Sequence, residues 1–582
     1  MNNAFLKKAF VIGIILLFIG ASVASGSNTN STNNPQPMNR GWLYVGGSGP
    51  GNYTRIQDAI NASSNGDMVF VFNGTYFGHI NINKSINLIG EDKNTTFIIG
   101  FFADTLSIIS DWVNMSGFTI QYEGRRGEGV KIDSCYNNFF NNIIDMPKDR
   151  IRISGDSNII SGNTIKCGSI GGSIFLSGDS NTILGNTITD NDYGIYLTDT
   201  CDNIISNNSF FNSGLFISDN TVWNNIVTNN TVNGKPLVYM HDESDLVLDV
   251  NAGQIILVNC TNITIQNQEL FNTTVGIQIW GSNTCVISGN TIIGNHYGIC
   301  LHGWSNTIND NIITNNFYGL FLSGDNNTIS ANTITNNNGN GIYLSYSDHN
   351  NFINNIITNN YYGIMLDYGS DFNNIIYNTI TNNYDALRLS GHNNTILGNI
   401  IADNSDGIML VFCGHTNIIN NTLTNNDYGI RLEDSTDNNI YHNNLINNQQ
   451  NAYDTIKNTW YYAELHEGNY WSDYTGNDLN GDGIGDIPYD IPGGNNQDLY
   501  PFMEPNGWLK EPEFQNAFIR GKITNLSSQG DYITFKAVKT RVRTFSPWSF
   551  NINKSGEKFI ISKNKLGFIG PHYIFALCEI LI

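Results

Sequence analysis

Carboxylates recur through the middle of this 582-residue sequence at one-repeat intervals: Asp325, Asp348 and Asp371, with Trp304 one interval before, His392 one after, and Asp156 and Asp179 in the same phase further up. If the intervals are coils of a stacked structure, neighbouring carboxylates stand about 5 Å apart. At that distance one can hold a proton, two can share a cation, or a pair can act as acid and nucleophile on a sugar. The competing role is local, because Asp in Ser-Gly-Asp and Tyr-Ser-Asp corners caps turns.

A second array is aromatic. Tyr193, Tyr297, Tyr318, Tyr362 and Tyr428 each directly precede the Gly that opens a strand. Rings with hydroxyls in a row could stack on sugars and hydrogen-bond them; they could equally pack on one another as a ladder that stabilises a sheet. With Trp304, the expected carbohydrate-binding set is Tyr297, Tyr318, Tyr362 and Tyr428. A third constellation is the run from Asp478 to Asp486. Oxygens from Asp478, Asn480, Asp482, the Ile484 carbonyl and Asp486, with Gly483 at the sharp turn, match the first nine positions of a calcium loop. The acid usual at the twelfth position is replaced by Tyr489, and the predicted role is structural. Cys413, His415 and His392 could approach one another as copper ligands. With ten His, nine Met and no His- or Met-rich tract, however, copper delivery is not expected.

A repeat of about 22 residues must position all of these. Strands of the form Gly-Ile-x-Leu begin at Gly276, Gly298, Gly319, Gly341, Gly363, Ala386, Gly407 and Gly429, and weaker copies at Gly129, Arg150, Ser173, Gly194 and Gly214. Between them Asn-x-Ile-x-x-Asn-x-Ile-Thr-x-Asn recurs, as in Asn327 to Asn336. Alternating apolar residues between Asn/Gly turns read as strands. A unit this short cannot bury its own apolar face, so it must stack on its neighbours. Stacking would align Asn311, Asn332, Asn355, Asn378, Asn399 and Asn421 in one column, where Asn tolerates left-handed geometry and its amide bonds to the Asn above and below. The fold predicted is all-β, a right-handed parallel β-helix. A leucine-rich repeat is disfavoured because no helix-period segment accompanies the β-branched Ile and Thr.

The expected organisation is a signal peptide (1–24), a linker (25–41), the β-helix (42–448) with an insertion near 232–253 that bulges out as a loop or hairpin, a C-terminal cap (449–505) and a basic β-rich module (512–582). Lys7 and Lys8 precede an apolar run from Ala9 to Gly20, and Ser22-Val23-Ala24 supplies the small residues of a cleavage site. The run is too short to span a bilayer comfortably, and no later segment is long and apolar enough. Thr54-Arg55-Ile56-Gln57 reads as a capping box opening a short helix, Ile56 to Ala62, that covers the first coil. The strands Asp67 to Phe72 and Ile80 to Ile89 follow it.

Charged residues are only 13% of the chain, and 28 Lys and Arg face 50 Asp and Glu, a net charge of −22. Nucleic acid and anionic membrane are therefore excluded as partners. Between Asn516 and Gly570 the balance reverses, so the tail could dock an anionic partner. Eight scattered Cys without a C-x-x-C pair predict buried thiols with one or two bridges. Sequons at Asn52, Asn73, Asn94, Asn114, Asn229 and Asn262 allow glycosylation.

The opening Gly49-Pro50-Gly51-Asn52-Tyr53-Thr54-x-Ile56-Gln57-Asp58-Ala59-Ile60, then Gly66-Asp67 and Asn73-Gly74-Thr75-Tyr76, resembles exported archaeal and bacterial β-helix proteins of the NosD type. These share the repeat class of carbohydrate-binding proteins and sugar hydrolases. Gly468-Asn469-Tyr470-Trp471-Ser472-Asp473-Tyr474 is similar to the end of such domains. The resemblance covers about residues 42–503. It implies a pectin-lyase-like fold and an exported or cell-surface protein whose partner is a polysaccharide or surface glycan. It also brings in polysaccharide cleavage and copper-site maturation as alternatives. No Asn-Thr-Asp, Gly-His-Gly and Arg-Ile-Lys set of the pectin-hydrolase type accompanies it, so the expected function is non-catalytic binding or structural.

Overall fold

The computed structural model describes residues 41–101, 104–122, 129–146, 150–167, 173–218, 224–367 and 369–509, and the strands between 514 and 581 by their backbone. The export signal and all but the last residue of the linker lie outside the described residues. The chain divides into two compact units, one ending at Leu237 and one beginning at Val238.

In the first unit, strands from Trp42–Val45 through Met68–Val71 and Asn87–Gly90 to Ile226–Thr228 form a nine-stranded parallel sheet. A second sheet of seven runs from Ile80–Ile82 to Leu215–Ile217. A third ladder steps from Gly74–Phe77 to Thr231–Val232. Each coil thus gives one strand to each of three sheets, the right-handed parallel β-helix that the repeat predicts. The helix Ile56–Ala62 packs on Trp42–Val45, Met68–Val71 and Ile80–Ile82 with Ile56, Ala59 and Ile60 buried. Its capping box does not form. Arg55 occupies the N-cap without a side-chain bond, because Gln57 turns away to the first coil, donating to Asn81 O at 3.1 Å and accepting its N–H at 2.8 Å. The first strand is Trp42–Val45 rather than Asp67 to Phe72, and Ile80 to Ile89 breaks into two strands. At the end of this unit Val232 pairs with Lys235 in a tight hairpin over Asn233 and Gly234, both at positive φ.

The second unit repeats the plan. Of the insertion expected at 232–253, the start is the antiparallel hairpin at Val232 and Lys235, and the later part, Ser244–Val247, joins the ladder in parallel beside Thr261–Gln266. Side chains inside form ladders such as Ile287, Ile308, Ile329, Phe352, Ile375, Ile396, Ile418 and Ile440, all fully buried. Gly recurs at the strand starts because a Cβ on Gly363 would sit 2.4 Å from the Ala386 carbonyl of the next coil. Burial of these ladders, at about 25 cal/mol per Å² of apolar surface, is what a single coil cannot achieve alone. The stacked core closes on Trp460 and Trp471, whose indole N–H groups donate to Asp454 and Asp498 at 2.8 Å.

Two duties assigned to one Asn fall on two residues. The left-handed position is Asn354 (φ 55°), Tyr377 (56°) or Asn420 (57°), and the residue after it, Asn355, Asn378 or Asn421, is buried and carries the ladder. Asn355 Oδ1 accepts the Asn332 backbone N–H at 3.0 Å, and its Nδ2 donates to Asn378 Oδ1 at 3.0 Å. The seven Cys from Cys135 to Cys413 are free, so the expected bridges do not form among the described residues. Beyond 512, Phe514–Gln529 pairs antiparallel with Tyr532–Thr544 and Tyr573–Leu581 in a five-stranded sheet.

Candidate functional site

Of the three outward faces of the second unit, two are monotonous. One repeats Thr307, Thr328, Asn351, Asn374, Thr395 and Asn417. Another repeats Thr291, Ile312, Thr333, Ile356, Thr379, Ile400 and Thr422. The third, on the strands opened by the Gly-Ile motif, varies from coil to coil. Its corner column runs Tyr297–Tyr318, then Asn340–Tyr362–Asp385–Asp406–Tyr428–Gln450. Beside it runs Cys300, Phe321, Tyr343, Met365, Arg388, Met409, Arg431 and Tyr453. Of the three faces, this one presents the most varied side chains.

The carboxylates expected to react stand elsewhere. Asp325, Asp348 and Asp371 sit in turns, and each gives Oδ1 to the backbone N–H of the next coil: Asp348 at 2.8 Å, Asp371 at 2.8 Å and His392 at 2.7 Å. Asp156 does the same for Asp179 at 2.8 Å. The column is continuous, and its contacts are those of turn caps. Trp304 is half exposed at the far end of Tyr297–Trp304, seven residues along the strand from Tyr297.

The tyrosine column does not offer its ring faces. Tyr297 and Tyr318 stack on each other at 5.2 Å and 16°. The Arg388 guanidinium lies over Tyr362 at 5.9 Å and that of Arg431 over Tyr428 at 5.1 Å. Rings repeating at the strand spacing meet one another face to face, which leaves edges and hydroxyls outward. The open rings are one residue earlier. Tyr361 and Tyr384 stack at 5.1 Å and 6°, are 49% and 55% exposed, and are followed on the next coil by Ser405, which has no ring to cover the outer face of Tyr384.

Next to Tyr384 the column changes from Tyr to Asp. Asp385 and Asp406 are in register on adjacent strands and only 3% and 6% exposed. Arg388 Nη1 stands 3.7 Å from Asp385, and Arg431 Nη1 stands 3.6 Å from Asp406; Arg431 also binds Glu433. Burial first, and then the Asp406 charge, pushes the Asp385 carboxyl up to about 6 against the pull of Arg388. Burial also raises Asp406, against Arg431. Two close carboxyls that cannot both ionise freely make an acid and a base of chemically identical side chains. The signal in the sequence was Tyr replaced by Asp on two successive coils, with Arg388 three residues after Asp385 and Arg431 on the coil after Asp406.

In the loop from Asp478, Gly481 and Gly483 donate to the two Asp478 oxygens at 2.6 and 2.9 Å, Asp482 to Asn480 Oδ1 at 3.0 Å, Ile484 to Asp482 Oδ1 at 2.9 Å, and Leu479 to Asp486 Oδ2 at 2.7 Å. The oxygens named for calcium thus fold over one turn whose glycines have φ of 76° and 87°. Cys413 does not meet the histidines as a ligand. Its thiol is buried, bonds the Leu389 carbonyl at 3.1 Å and is pushed up to about 12 by burial. Among the described residues no three of His, Cys, Asp and Glu are grouped to hold a metal. No helix among them is long and apolar enough to cross a membrane.

A family model described as "Periplasmic copper-binding protein (NosD)" matches residues 224–394 and 386–476, and one described as "Right handed beta helix region" matches 107–270. No curated protein matches the chain. Among solved structures, an alginate lyase from Paenibacillus is 17% identical over 40% of this chain and 91% of its own, with a TM-score of 0.30. A mannuronan C-5 epimerase A-module from Azotobacter vinelandii is 13% identical over 69% and 94%, at 0.24. A periplasmic alginate epimerase is 14% identical over 70% and 80%, at 0.27. These likenesses carry no argument about chemistry.

Proposed function

We propose that this chain, a NosD-type right-handed β-helix repeat protein, is exported and binds an extended glycan along the varied face of its second unit. The observation that carries the reading is the half-exposed Tyr361–Tyr384 pair abutting the Asp385, Asp406, Arg388 and Arg431 cluster. An amphipathic ring face beside fixed donors and acceptors is what a pyranose needs, with its apolar face stacked and its hydroxyls bonded. The rigid coil also avoids the ordering cost that a loop incurs on binding. Export rests on Lys7, Lys8 and the apolar run ending before Ser22-Val23-Ala24. In the same reading, Asp478, Asn480, Asp482, the Ile484 carbonyl and Asp486 hold a calcium ion that stiffens the C-terminal cap, their side-chain oxygens exchanging the backbone N–H bonds of the glycine turn for the ion.

A glycan array probed with the full chain tests the binding reading. Tyr384→Ala should weaken the best ligand by about tenfold, roughly the 1–3 kcal/mol of a stacked ring, with unchanged thermal stability. Equal binding by the variant would remove this face from consideration.

A further inference from the structure

We propose that Asp385 and Asp406 are the acid and nucleophile of a retaining glycoside hydrolysis, and that the chain they cut is built of uncharged sugars. This inference rests on the glycan-binding reading of the same face.

Spacing is the first argument. In-register residues on adjacent parallel strands are about 4.8 Å apart, and carboxyl groups about 5–5.5 Å apart are the arrangement of retaining rather than inverting glycosidases. The second is asymmetry. Both carboxyls point to one face, but Asp406 lies beneath Arg431, whereas Asp385 is the more buried and carries the more strongly raised carboxyl. Asp385 is therefore the one of the two that holds its proton longer, up to about pH 6. The third is unused bonding capacity. At 3.7 and 3.6 Å neither guanidinium reaches hydrogen-bond distance of its carboxylate. Arg388 Nη1 instead contacts Met409 Sδ at 3.2 Å, and Arg431 Nε is buried with no partner. Arg431 Nε is thus a buried donor that a ligand's oxygen could satisfy.

In the first step Asp406 attacks the anomeric carbon, its carboxylate oxygen forming the C1–O bond as the glycosidic C1–O bond breaks. The proton on Asp385 passes to the departing glycosidic oxygen. In the second step Asp385, now ionised, takes a proton from water, the water oxygen bonds C1 from the face just vacated, and the ester to Asp406 breaks. The balance is one water consumed and one glycosidic bond hydrolysed, with both carboxyls returned to their starting states and the anomeric configuration kept.

Charge sets the substrate class. Arg388, Arg431 and Lys457 are the only Lys or Arg residues from 238 to 509. Both arginines already face carboxylates, with Glu433 bound to Arg431 and Asp427 adding its charge near Asp406. A uronate or sulfated chain would meet this acidic surface without a free cation to receive it. A neutral hexosyl chain meets ring faces and hydrogen-bonding groups.

The full chain is incubated with neutral glucans, mannans and galactans and, separately, with uronate polymers. Binding is read by affinity electrophoresis, cleavage by new reducing ends, and stereochemistry by proton NMR of the first anomer released. The expected result is cleavage of a neutral chain with retention. Asp406→Asn should bind within about twofold of the parent and lose at least a hundredfold in rate, in the range of groups that act directly on the reacting atoms. Asp385→Asn should lose as much on the polysaccharide but recover on an aryl glycoside whose leaving group needs no proton. Circular dichroism confirms that both variants are folded. A parent that binds a glycan yet releases no reducing ends overturns the catalytic pair and leaves the binding reading standing. Absence of binding to every chain overturns both. An inverted product, or activity that survives Asp406→Asn, overturns the assigned roles, and cleavage confined to uronates overturns the substrate class.

Discussion

Asn354 and Asn355 are the same residue type side by side, and their replacement should differ severalfold in cost. Asn355 is buried, and its side chain makes four bonds: Oδ1 accepts from Asn332 N and Nδ2, both at 3.0 Å, and Nδ2 donates to Ile329 O at 2.8 Å and Asn378 Oδ1 at 3.0 Å. Asn355→Ala leaves the Asn332 backbone N–H buried without an acceptor, at about 1–3 kcal/mol. The Asn332 side chain still reaches Ile308 O and Ser330 O, and Asn378 Oδ1 keeps the Asn355 N–H, so the other losses are ordinary bonds of about 1 kcal/mol each or less. The sum is about 3–5 kcal/mol. Asn354 is exposed at φ 55°, a conformation glycine adopts freely, so Asn354→Gly should change stability by no more than about 0.5 kcal/mol. Guanidinium melts followed by far-UV circular dichroism compare the two. Stacked repeats can unfold piecewise, so hydrogen exchange in the coils around Asn332 and Asn378 gives the local reading. A loss below about 1 kcal/mol for Asn355→Ala would mean that water replaces the ladder and that these columns do not hold the coils in register.

Asp385→Asn tests the buried pair through pH. The raised carboxyl favours folding below its ordinary pKa and loses that contribution as pH rises through about 6, so the variant should gain about 1–3 kcal/mol over the parent at pH 7 and little at pH 4. A pH-independent difference in chemical denaturation would show that Asp385 does not titrate in that window. For the loop at Asp478, chelator should lower the melting temperature of the parent and calcium, not magnesium, should restore it, while Asp482→Ala abolishes the response. Identical melts with and without chelator would remove the ion.

Most of the fold was legible because its cause is periodic. Gly at the strand starts, Ile at the inward positions and Asn at the turns each answer a constraint that recurs on every coil, so the pattern can be read without coordinates. Features that occur once were not legible in this way. Gln57 left its capping role because Asn81 on the first coil offers it two backbone bonds, a partner invisible to a four-residue motif. Ser244–Val247 reads as an interruption because its pairing is with a strand that follows it, not with the repeat before. Column membership was correct for Tyr297, Tyr318, Tyr362 and Tyr428, but sequence does not fix the plane of a ring. Only the structure shows that neighbours at the strand spacing turn their faces to each other or to an arginine. The acids Asp325, Asp348 and Asp371 were found because the repeat was phased on the Asn motif that adjoins them. Asp385 and Asp406 lie in the phase of the tyrosines, where they stand as gaps in an aromatic column.

Those two gaps bear on stability against function. At the same corner position the chain uses Tyr on four other coils of this unit, so a stacked or cation-covered ring is a solution it already has. Replacing it by Asp on two adjacent coils buries like charges next to each other and engages two of the few cations in the unit. Buried ion pairs with incomplete hydrogen bonding are a poor source of stability compared with well-packed rings. Asp385→Tyr with Asp406→Tyr would restore the column by the chain's own rule. If the pair is functional, that double variant should be at least as stable as the parent while losing cleavage. If it is less stable by more than about 2 kcal/mol, the carboxylates are structural and the arginines are their counter-ions.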